Sequence, residues 1–503
     1  MVKCYSACRK VHEEKCTHEE CKYVDGTRFQ YCRLSHKYKM DEDCVPQIKP
    51  EKAKTQRRRL DPKVAAITIK RHRAAQKINQ FMRKVDPNKR RAYFLRSICS
   101  DAGVCIAFGK ELKTINKHFN GFADFKHIKL PVNQIGFPSN NGFVNEITYE
   151  HSDYVANAIL KSSSRPDSDN LFYEYLVGQY INKQCKIFPA FVETYGWFTY
   201  KSNESWNLMK SNSKKAKDLP NHLQLQSPTV TPESLGISCK KSKYLALLIQ
   251  HIKDAKALET MAANTSFVKY HLPKILYQVY MPLATLENDF THYDLHLNNV
   301  LIYEPVKGQY IDYHYKLIDG TSVRFKSLYI AKIIDYGRSF FVDSDESSKS
   351  IYKKICKTNT CDPNCGEDNG FGILTPEDIP GSFYYISSTK RNMSHDLRLL
   401  NELILQNLPQ TAIFNHNPDL YNLLHKVLYG NGISNKSEKR YGTKEQSKSG
   451  LPKKIVNVKD AETAFRTFLT EQTNDESMYD TMKSLGTLTI HQDGKPMSFS
   501  PSV

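Results

Sequence analysis

The chain has 503 residues and a formal net charge of +19, from 72 Lys and Arg against 53 Asp and Glu. No stretch approaches the roughly eighteen apolar residues that a membrane helix needs, and the opening residues MVKCYSACRK lack the apolar core of a signal peptide. We therefore expect a soluble intracellular protein without a membrane span. Thirteen cysteines fit a reducing compartment with metal-bound or free thiols better than a disulfide framework.

The first segment, residues 1–48, is rich in cysteine and histidine and has almost no aliphatic run. So few apolar residues cannot offset the entropy of ordering a chain, which argues for a metal or disulfide staple. Cys32 and His36 have a spacing found in zinc modules, and Cys16 with Cys21 is a suitable first pair of ligands. We predict a structural Zn²⁺ bound by Cys16, Cys21, Cys32 and His36. Disulfides or an unbound thiol-rich arm are the alternatives.

The next segment, residues 49–120, carries most of the positive charge. Residues 51–100 contain sixteen Lys plus Arg and three Asp plus Glu, a net +13. The stretch that begins at Asp61 and Pro62 has the pattern of a basic amphipathic helix. Such a helix suits nucleic acid, an acidic protein surface or a calmodulin-like groove. The alternative is a solvated helix that braces the neighbouring domain.

Between residues 121 and 252 the pattern is mostly that of strands. In IGFPSNNGFVNE, Gly136 and Gly142 bracket a polar turn that is followed by Val144. The apolar run YVANAILKSS, residues 154–163, predicts a strand that carries Lys161 near its end. DSDNLFYEYLVGQYIN, residues 167–182, begins with capping residues and predicts a helix that carries Glu174.

A further apolar strand is predicted in KYLALLIQHIKD, and it ends at Gln250, His251 and Ile252. Residues 271–290 have helical spacing of apolar residues and predict a buried helix. Two motifs follow that helix: THYDLHLNNVL, residues 291–301, and KIIDYGR, residues 332–338. The first contains Asp294 and, five residues on, Asn299. In the second, an apolar strand leads directly into Asp335.

Those residue types suit phosphoryl transfer, in which the protein supplies positioning and charge neutralisation rather than covalent chemistry. Carboxylate and amide oxygens, such as those of Asp335 and Asn299, hold Mg²⁺ against a triphosphate. Asp294 is then free to accept a hydrogen bond from the hydroxyl of the substrate and later its proton. His292 is expected to pack and to hydrogen-bond the loop rather than to react.

His292-Tyr293-Asp294 with Asn299, followed by Asp335-Tyr336-Gly337, resembles the HRD and DFG motifs of the protein kinase family in order and spacing. The resemblance implies an α+β, bilobal protein-kinase-like fold with a small β-rich N-lobe and a larger α-helical C-lobe, behind a Cys-rich N-terminal extension. The N-lobe would span 121–252 and the C-lobe 253–485, with a C-terminal tail at 486–503.

The resemblance also assigns roles to the residues upstream. Lys161 is expected to contact the α- and β-phosphates of ATP and to pair with Glu174. Gly136, Gly142 and Val144 would form a degenerate phosphate-covering loop, in which Ser139 and Asn140 stand where the family has its middle glycine; the alternative is an ordinary hairpin turn. The backbone at Gln250 and Ile252 would hold adenine. The cofactors implied are ATP and Mg²⁺ or Mn²⁺.

Other positions depart from the family or extend the resemblance. His296 stands where Ser/Thr kinases usually carry Lys, and Tyr293 replaces the Arg that would pair with a phosphorylated activation loop. Asp396 resembles an aspartate that hydrogen-bonds the backbone of the catalytic loop; the alternative is a simple helix N-terminal charge. After residue 343 an insert carries Cys356, Cys361 and Cys365, which suit zinc with a fourth ligand or exposed reduced thiols.

FTHYDLHLNNVLIYEP, KIIDYGRSFF, NGFVNEI and CDPNCG, within about residues 136–400, resemble serine/threonine protein kinases encoded by giant nucleocytoplasmic DNA viruses of the mimivirus type. This resemblance implies a viral protein kinase, with protein substrates, in the host cytoplasm or the virion. The loop pattern DLHxxN also occurs in small-molecule kinases of the aminoglycoside and choline type. A small-molecule phosphotransferase and a nucleotide-binding pseudokinase scaffold are therefore the alternative functions.

Overall fold

In this computed structural model the described residues are 21–25, 30–34, 38–40, 46–48, 127–130, 132–135, 142–151, 154–211, 222–227, 229–252, 254–344, 346–355, 369–372, 383–386, 388–404, 417–429, 454–471 and 476–502. They belong to two units, which we describe separately. None of the helices in these ranges is both long and apolar enough to cross a membrane.

In the first unit, within Met1–Met82, the described residues form two antiparallel hairpins. Strand β1 (Cys21–Asp25) pairs with β2 (Gln30–Leu34), and β3 (Tyr38–Met40) pairs with β4 (Pro46–Ile48). Two of the four predicted zinc ligands, at positions 16 and 36, lie outside the described residues, as does the segment 51–100. The zinc site and the basic helix therefore stay predictions.

The second unit, within Arg83–Val503, begins with an antiparallel sheet. Six of the described strands form it in the order β5-β6-β7-β10-β8-β9. Their bounds are β5 Asn133–Ile135, β6 Gly142–His151, β7 Tyr154–Ser163, β8 Thr194–Tyr200, β9 Leu223–Leu225 and β10 Leu245–Gln250. The predicted strands around Lys161 and before Gln250 are thus confirmed as β7 and β10.

Helix α1 (Leu171–Gln184) packs against β8 and β10 of this sheet. It begins where Asn170 accepts hydrogen bonds from the N–H groups of Phe172 and Tyr173, so the cap follows the predicted Asp and Ser by two to three residues. Most of its side chains are buried, which is why its apolar residues do not form a single stripe. Helices α2 (Asn203–Lys210) and α3 (Pro232–Lys240) complete this β-rich region.

The remainder of the second unit is built around helix α6 (Leu272–Thr285), in which residues 272–284 are all buried. This confirms the predicted buried helix before the motif THYDLHLNNVL. The other described helices of this part are α4 Leu258–Ala262, α5 Thr265–Tyr270, α7 Ser348–Ile355, α8 Arg398–Glu402, α9 Pro418–Leu424 and α10 Val458–Glu471. Helix α10 packs on α6, where the rings of Tyr280 and Phe465 stack with centroids 5.9 Å apart.

Short strands support the two motifs. The described strands β11 (Lys256–Ala257), β13 (Val300–Tyr303) and β16 (Ile330–Ile333) form one small sheet, and β12 (Phe290–Thr291) pairs with β17 (Phe340–Phe341). Strand β18 (Asn369–Gly372) pairs with β19 (Phe383–Ile386). The β12–β17 pair joins the start of the first motif to the end of the second, because Phe290 lies opposite Phe341.

A further sheet, which we call the accessory sheet, combines two strands from between the two motifs with two strands from the last described part of the chain. It contains β14 (Gln309–Lys316), β15 (Ser322–Ser327), β20 (Lys483–His491) and β21 (Ser498–Pro501), in the order β15-β14-β20-β21. Strands β14 and β15 form an antiparallel hairpin between the two motifs. Strand β20 runs across the predicted boundary at residue 485, so residues 486–501 are part of this sheet and not a separate tail.

The described residues therefore form a mixed fold of a β-rich region followed by helices and smaller sheets. That arrangement is compatible with the expected α+β kinase-like fold. Its division into two lobes stays a prediction.

Candidate active site

Lys161 is held on the face of the first sheet by the strands on both sides of β7. The register places it opposite Val144 in β6 and opposite Leu247 in β10. Paired residues of neighbouring strands share a face of the sheet, so Val144 is the direct neighbour of Lys161 there. Only 21% of the Lys161 side chain is exposed.

The ammonium group of Lys161 bridges two carboxylates from distant parts of the chain. Its Nζ lies 2.7 Å from Oε2 of Glu174, in α1, and 2.7 Å from Oδ1 of Asp335, just after β16. The predicted pairing of Lys161 with Glu174 is therefore confirmed. The same contacts bring the second motif, 174 residues away along the chain, to the same lysine.

The electrostatics of these three groups favour a charged site. Burial alone would lower the pKa of Lys161, but the charges of Asp335 and Glu174 outweigh burial and hold that pKa well above its ordinary value. Burial raises the pKa of Glu174. At Asp335 burial acts the same way, but the ammonium of Lys161 outweighs it and the pKa lies below the usual range. Asp335 is thus ionised at neutral pH, the state in which a carboxylate binds a cation.

The first motif forms a loop that is pinned by Asp396. One carboxylate oxygen of Asp396 accepts the N–H of His292 at 2.8 Å, and the other accepts the N–H of Tyr293 at 2.9 Å. The expectation that Asp396 hydrogen-bonds the backbone of this loop is confirmed. Tyr293 has a φ of 65°, in the left-handed region that non-glycine residues rarely adopt. The two hydrogen bonds hold this strained backbone in place.

His292 is part of the same framework and not a reactive group. It is fully buried, and burial lowers its pKa to about 4, so the imidazole is neutral at pH 7. Nδ1 accepts the N–H of Asp294 at 3.3 Å, which leaves Nε2–H to donate to the carbonyl of Ile334 at 3.0 Å. The histidine thereby links the Asp294 loop to the residue before Asp335, as the sequence predicted for a packing role.

Asn299 lies at the other end of the loop, in a 3₁₀ turn that leads into β13. Its side-chain Nδ2 donates to the carbonyl of Asp294 at 2.9 Å, and its own carbonyl accepts the N–H of Ile334 at 3.0 Å. Since Nδ2 is engaged, Oδ1 is the atom of this amide that is left for a ligand. The turn therefore brings an amide oxygen, Asp294 and the strand before Asp335 together.

The carboxylate of Asp294 lies within a row of alternating charges. Its Oδ1 accepts a hydrogen bond from Nη1 of Arg398 at 2.7 Å, and its Oδ2 lies 3.6 Å from Nη1 of Arg338. Arg338 in turn contacts Asp169 at 3.3 Å, and Arg398 contacts Glu402 at 2.7 Å. We call these five residues the charge row. Their side chains are all at least 85% buried, so their ion pairs are only weakly screened by solvent.

The charge row connects several elements around the loop. Asp169 directly precedes the cap of α1, Arg338 follows Asp335-Tyr336-Gly337, and Arg398 and Glu402 belong to α8. Glu402 also accepts the N–H of Leu297 at 3.3 Å, which closes the row back onto the loop. Sequence reasoning assigned no role to Asp169, Arg338, Arg398 or Glu402. Arg338 stands inside the motif KIIDYGR, and Arg398 lies two residues after Asp396. The sequence around either arginine does not indicate which carboxylate it contacts.

The remaining predicted nucleotide-binding residues are only partly described. Gly136 lies outside the described residues. Gly142 begins β6, where a Cβ would lie 2.6 Å from the carbonyl oxygen of Ser162, so close strand packing alone requires glycine. The N–H of Gln250 donates to the carbonyl of Glu193 at 2.8 Å. The N–H of the buried Ile252 donates to no residue among those described.

The expected metal-binding cysteines give no further site. Residues 356–368, with Cys356, Cys361 and Cys365, lie outside the described residues. Among the residues that the structure describes, no group of three or more His, Cys, Asp or Glu side chains is arranged to hold a metal ion. The zinc predictions are therefore untested.

Comparisons with known proteins add little to this geometry. No protein-family model matches the chain, and no curated protein matches it. A crystal structure titled as the kinase domain of PF14_0431 aligns at 13% identity over 45% of this chain and 55% of that chain, with a TM-score of 0.25. The chain thus spans about half the length of that kinase domain. A likeness at this TM-score does not establish a shared fold.

Proposed function

We propose that the chain is an ATP-dependent phosphotransferase that acts on Ser and Thr hydroxyls of proteins. One observation carries the proposal: Lys161 lies 2.7 Å from both Glu174 and Asp335. A buried lysine between two carboxylates, one of them ionised and partly exposed, is an arrangement for phosphates and a divalent cation. The contact between Asn299 and the Asp294 backbone adds the two other expected groups to the same region.

On the nucleotide side, Lys161 would donate to the α- and β-phosphates, and Glu174 would hold its ammonium in position. Val144, opposite Lys161 on the sheet, would cover the purine. At the end of β10 the N–H of Ile252 is the donor proposed for adenine, since the N–H of Gln250 is already bonded to Glu193. Gly136 and Gly142 would bracket the segment above the phosphates.

The donors near Asp335 fit Mg²⁺ or Mn²⁺. Oδ1 of Asp335 is bonded to Lys161, which leaves Oδ2, and Nδ2 of Asn299 is bonded to Asp294, which leaves Oδ1. Both are hard oxygen donors of the kind that Mg²⁺ prefers. When bound there, the ion would neutralise charge on the triphosphate. Asp335 has a φ of 70°, so its backbone is held in an uncommon conformation that aims this carboxylate.

Asp294 would orient the acceptor hydroxyl and take its proton. Oδ1 is bonded to Arg398 at 2.7 Å, whereas the contact of Oδ2 with Arg338 is longer, at 3.6 Å. Oδ2 is therefore the oxygen proposed to accept the proton. Arg398, bonded to the other oxygen, would fix the rotation of the carboxylate. Arg398 is thus a positioning residue.

The small-molecule alternative rests on His296. Its Nδ1 accepts the N–H of Asn298 at 3.2 Å, so the side chain turns back onto the loop. The acceptor side therefore lacks the lysine of Ser/Thr kinases at this position, in keeping with the DLHxxN pattern of small-molecule kinases. Protein as the acceptor, and a viral setting, rest on the sequence resemblance.

The test is transfer from γ-labelled ATP with Mg²⁺, using a basic protein, a degenerate peptide library, and an aminoglycoside and choline mixture as separate acceptors. The variants are Asp294→Asn and, as a matched control, Asp493→Asn on an exposed turn. We expect label on protein Ser or Thr, reduced roughly 10²-fold or more by Asp294→Asn and unchanged by the control. Label on the small molecules alone would favour the alternative. Nucleotide binding without transfer to any acceptor would refute both phosphotransferase proposals and favour a scaffold.

A further inference from the structure

A cavity of about 660 Å³ opens on the accessory sheet, in a region that the proposed phosphotransferase does not use. It is lined by side chains of β14, β15 and β20 and by Glu476. The register explains why these side chains meet. Asp312 pairs with Lys326 and with Thr487, and His314 pairs with Arg324, so all of these residues project from one face of the sheet.

The basic groups on this face lie close together. Nη2 of Arg324 lies 3.4 Å from Nε2 of His314. No carboxylate of the described residues lies within ion-pair distance of Arg324, and its side chain is exposed. Burial lowers the pKa of His314, and the positive charges of Arg324, Lys316 and His491 lower it further. Since a guanidinium can only donate, Nε2 of His314 accepts the hydrogen bond from Arg324.

Both oxygens of Glu476 and one oxygen of Asp312 are already engaged. Oδ2 of Asp312 accepts a hydrogen bond from Ser484 at 2.7 Å. Oε1 of Glu476 accepts the N–H of Lys326 at 3.1 Å, and Oε2 lies 3.5 Å from Nζ of the same lysine. Arg324 thus contacts a neighbouring histidine but no carboxylate, and most of its N–H groups are left to donate to a ligand. The Thr487 hydroxyl, which lines the same cavity, is a second donor that an anion can accept from.

We propose that this cavity binds a phosphate monoester of a small molecule. The guanidinium of Arg324 has the planar fork that matches phosphate oxygens, and Thr487 and His314 stand beside it to complete the contacts. A volume of about 660 Å³ exceeds what a free phosphate needs and falls in the usual range of small-ligand pockets, roughly 300–1,000 Å³. The carbon-bearing part of the ligand would occupy the space toward Glu476.

The test is a calorimetric titration of the full chain with glycerol 2-phosphate, at constant ionic strength kept with chloride. We expect saturable binding that is tighter than that of inorganic phosphate. Arg324→Gln should weaken it by roughly tenfold or more, because a charge-assisted hydrogen bond is lost from an exposed residue that folding does not need. Lys495→Gln, which removes an exposed cation from the turn after β20, is the matched control and should bind as the wild type does.

Lys161→Gln separates this site from the proposed ATP site. If the probe binds the accessory sheet, its affinity is unchanged by Lys161→Gln and lowered by Arg324→Gln. Equal affinity in wild type and Arg324→Gln, or loss of binding in Lys161→Gln alone, would overturn the proposal. So would the absence of saturable binding up to about 10 mM probe. None of these outcomes depends on phosphoryl transfer, so the proposed activity and this site can fail independently.

Discussion

Replacing Asp396 by asparagine separates the stability of the fold from the geometry of the Asp294 loop. In the wild type both oxygens of Asp396 accept backbone N–H groups, those of His292 and Tyr293. Asp396→Asn keeps the shape of the side chain but replaces one acceptor with an NH₂ group. One buried N–H then faces a donor instead of an acceptor, which costs about 1–3 kcal/mol locally.

The difference in global stability between the variant and the wild type depends on pH. Burial raises the pKa of Asp396 from 3.8 to about 7. A carboxyl whose pKa is higher in the folded state than in the unfolded chain stabilises the fold. This contribution is complete below the unfolded pKa of 3.8 and is lost as the pH rises through the folded pKa of about 7. An interval of about three pH units corresponds to roughly 4 kcal/mol. Because asparagine stays neutral, Asp396→Asn should be about 1–3 kcal/mol less stable than the wild type at pH 5, from the lost hydrogen bond. Between pH 5 and pH 8 the wild type should lose roughly 3 kcal/mol that the variant keeps, so the difference should shift in favour of the variant by that amount.

Activity should nevertheless fall in the variant. The φ of 65° at Tyr293 stores strain of about 1–3 kcal/mol, which the two hydrogen bonds of Asp396 hold in check. Losing one of them lets the loop relax and moves Asp294 away from its productive position. At 1.4 kcal/mol for each factor of ten, we expect kcat to fall roughly 10- to 100-fold, with little change in KM for ATP. For the same reason wild-type activity should fall as the pH drops through about 7.

The assay combines phosphoryl transfer, denaturant unfolding at pH 5 and pH 8, and hydrogen exchange of peptides that contain residues 292 and 293. Faster exchange there gives a readout that does not depend on activity. Asp460→Asn is the matched control, since buried Asp460 also accepts a backbone N–H, that of Val456 at 3.1 Å, but makes no hydrogen bond to residues 292–299. Unchanged exchange and kcat in Asp396→Asn, or a stability loss that is larger at pH 8 than at pH 5, would refute the reasoning.

Two further predictions concern single contacts. Arg398→Gln removes the side chain that bonds Asp294 at 2.7 Å. In steady-state kinetics it should lower kcat at least tenfold without changing KM for ATP. A rise in KM for ATP of similar size would instead indicate that Arg398 contacts the nucleotide. Gly142→Ala forces a Cβ to 2.6 Å from the Ser162 carbonyl oxygen and should lower the free energy of unfolding by roughly 1–3 kcal/mol. At Gly236, in α3, an added Cβ would have no atom within 4 Å, so Gly236→Ala should raise the free energy of unfolding by about 0.5–1 kcal/mol. Equal effects of Gly142→Ala and Gly236→Ala in urea unfolding would contradict the packing argument.

The residues predicted from the sequence are those whose motifs are local. Asp294 and Asn299 stand five apart in one loop, and a strand that carries Lys161 or a helix that carries Glu174 can be read from periodicity. Their pairing followed from the resemblance, and the structure confirms that contact. Asp396 is predicted in the same way, because its position resembles that of an aspartate that hydrogen-bonds the backbone of the kinase catalytic loop.

What could not be predicted depends on contacts between distant residues. Arg398 and Asp294 are 104 residues apart, and an arginine in a helix carries no sign of which carboxylate it will meet. The parallel pairing of β14 with β20 joins residues more than 170 apart. The sequence therefore predicts a C-terminal tail where the structure has strands of the accessory sheet. Strand pairing over such distances is set by the packed fold and leaves no local pattern.

The position of β20 also constrains how the protein is made. Strand β14 takes its parallel partner from residues 483–491, so the accessory sheet cannot close until β20 has been synthesised, long after β14. Until then the edge of β14 that pairs with β20 stays open, although Tyr277 and Phe325, which pack against Tyr315 and Tyr313, have already been made. The nascent protein therefore has a long interval in which a chaperone could bind this hairpin, and a ribosome stalled before residue 483 would release a chain that cannot mature.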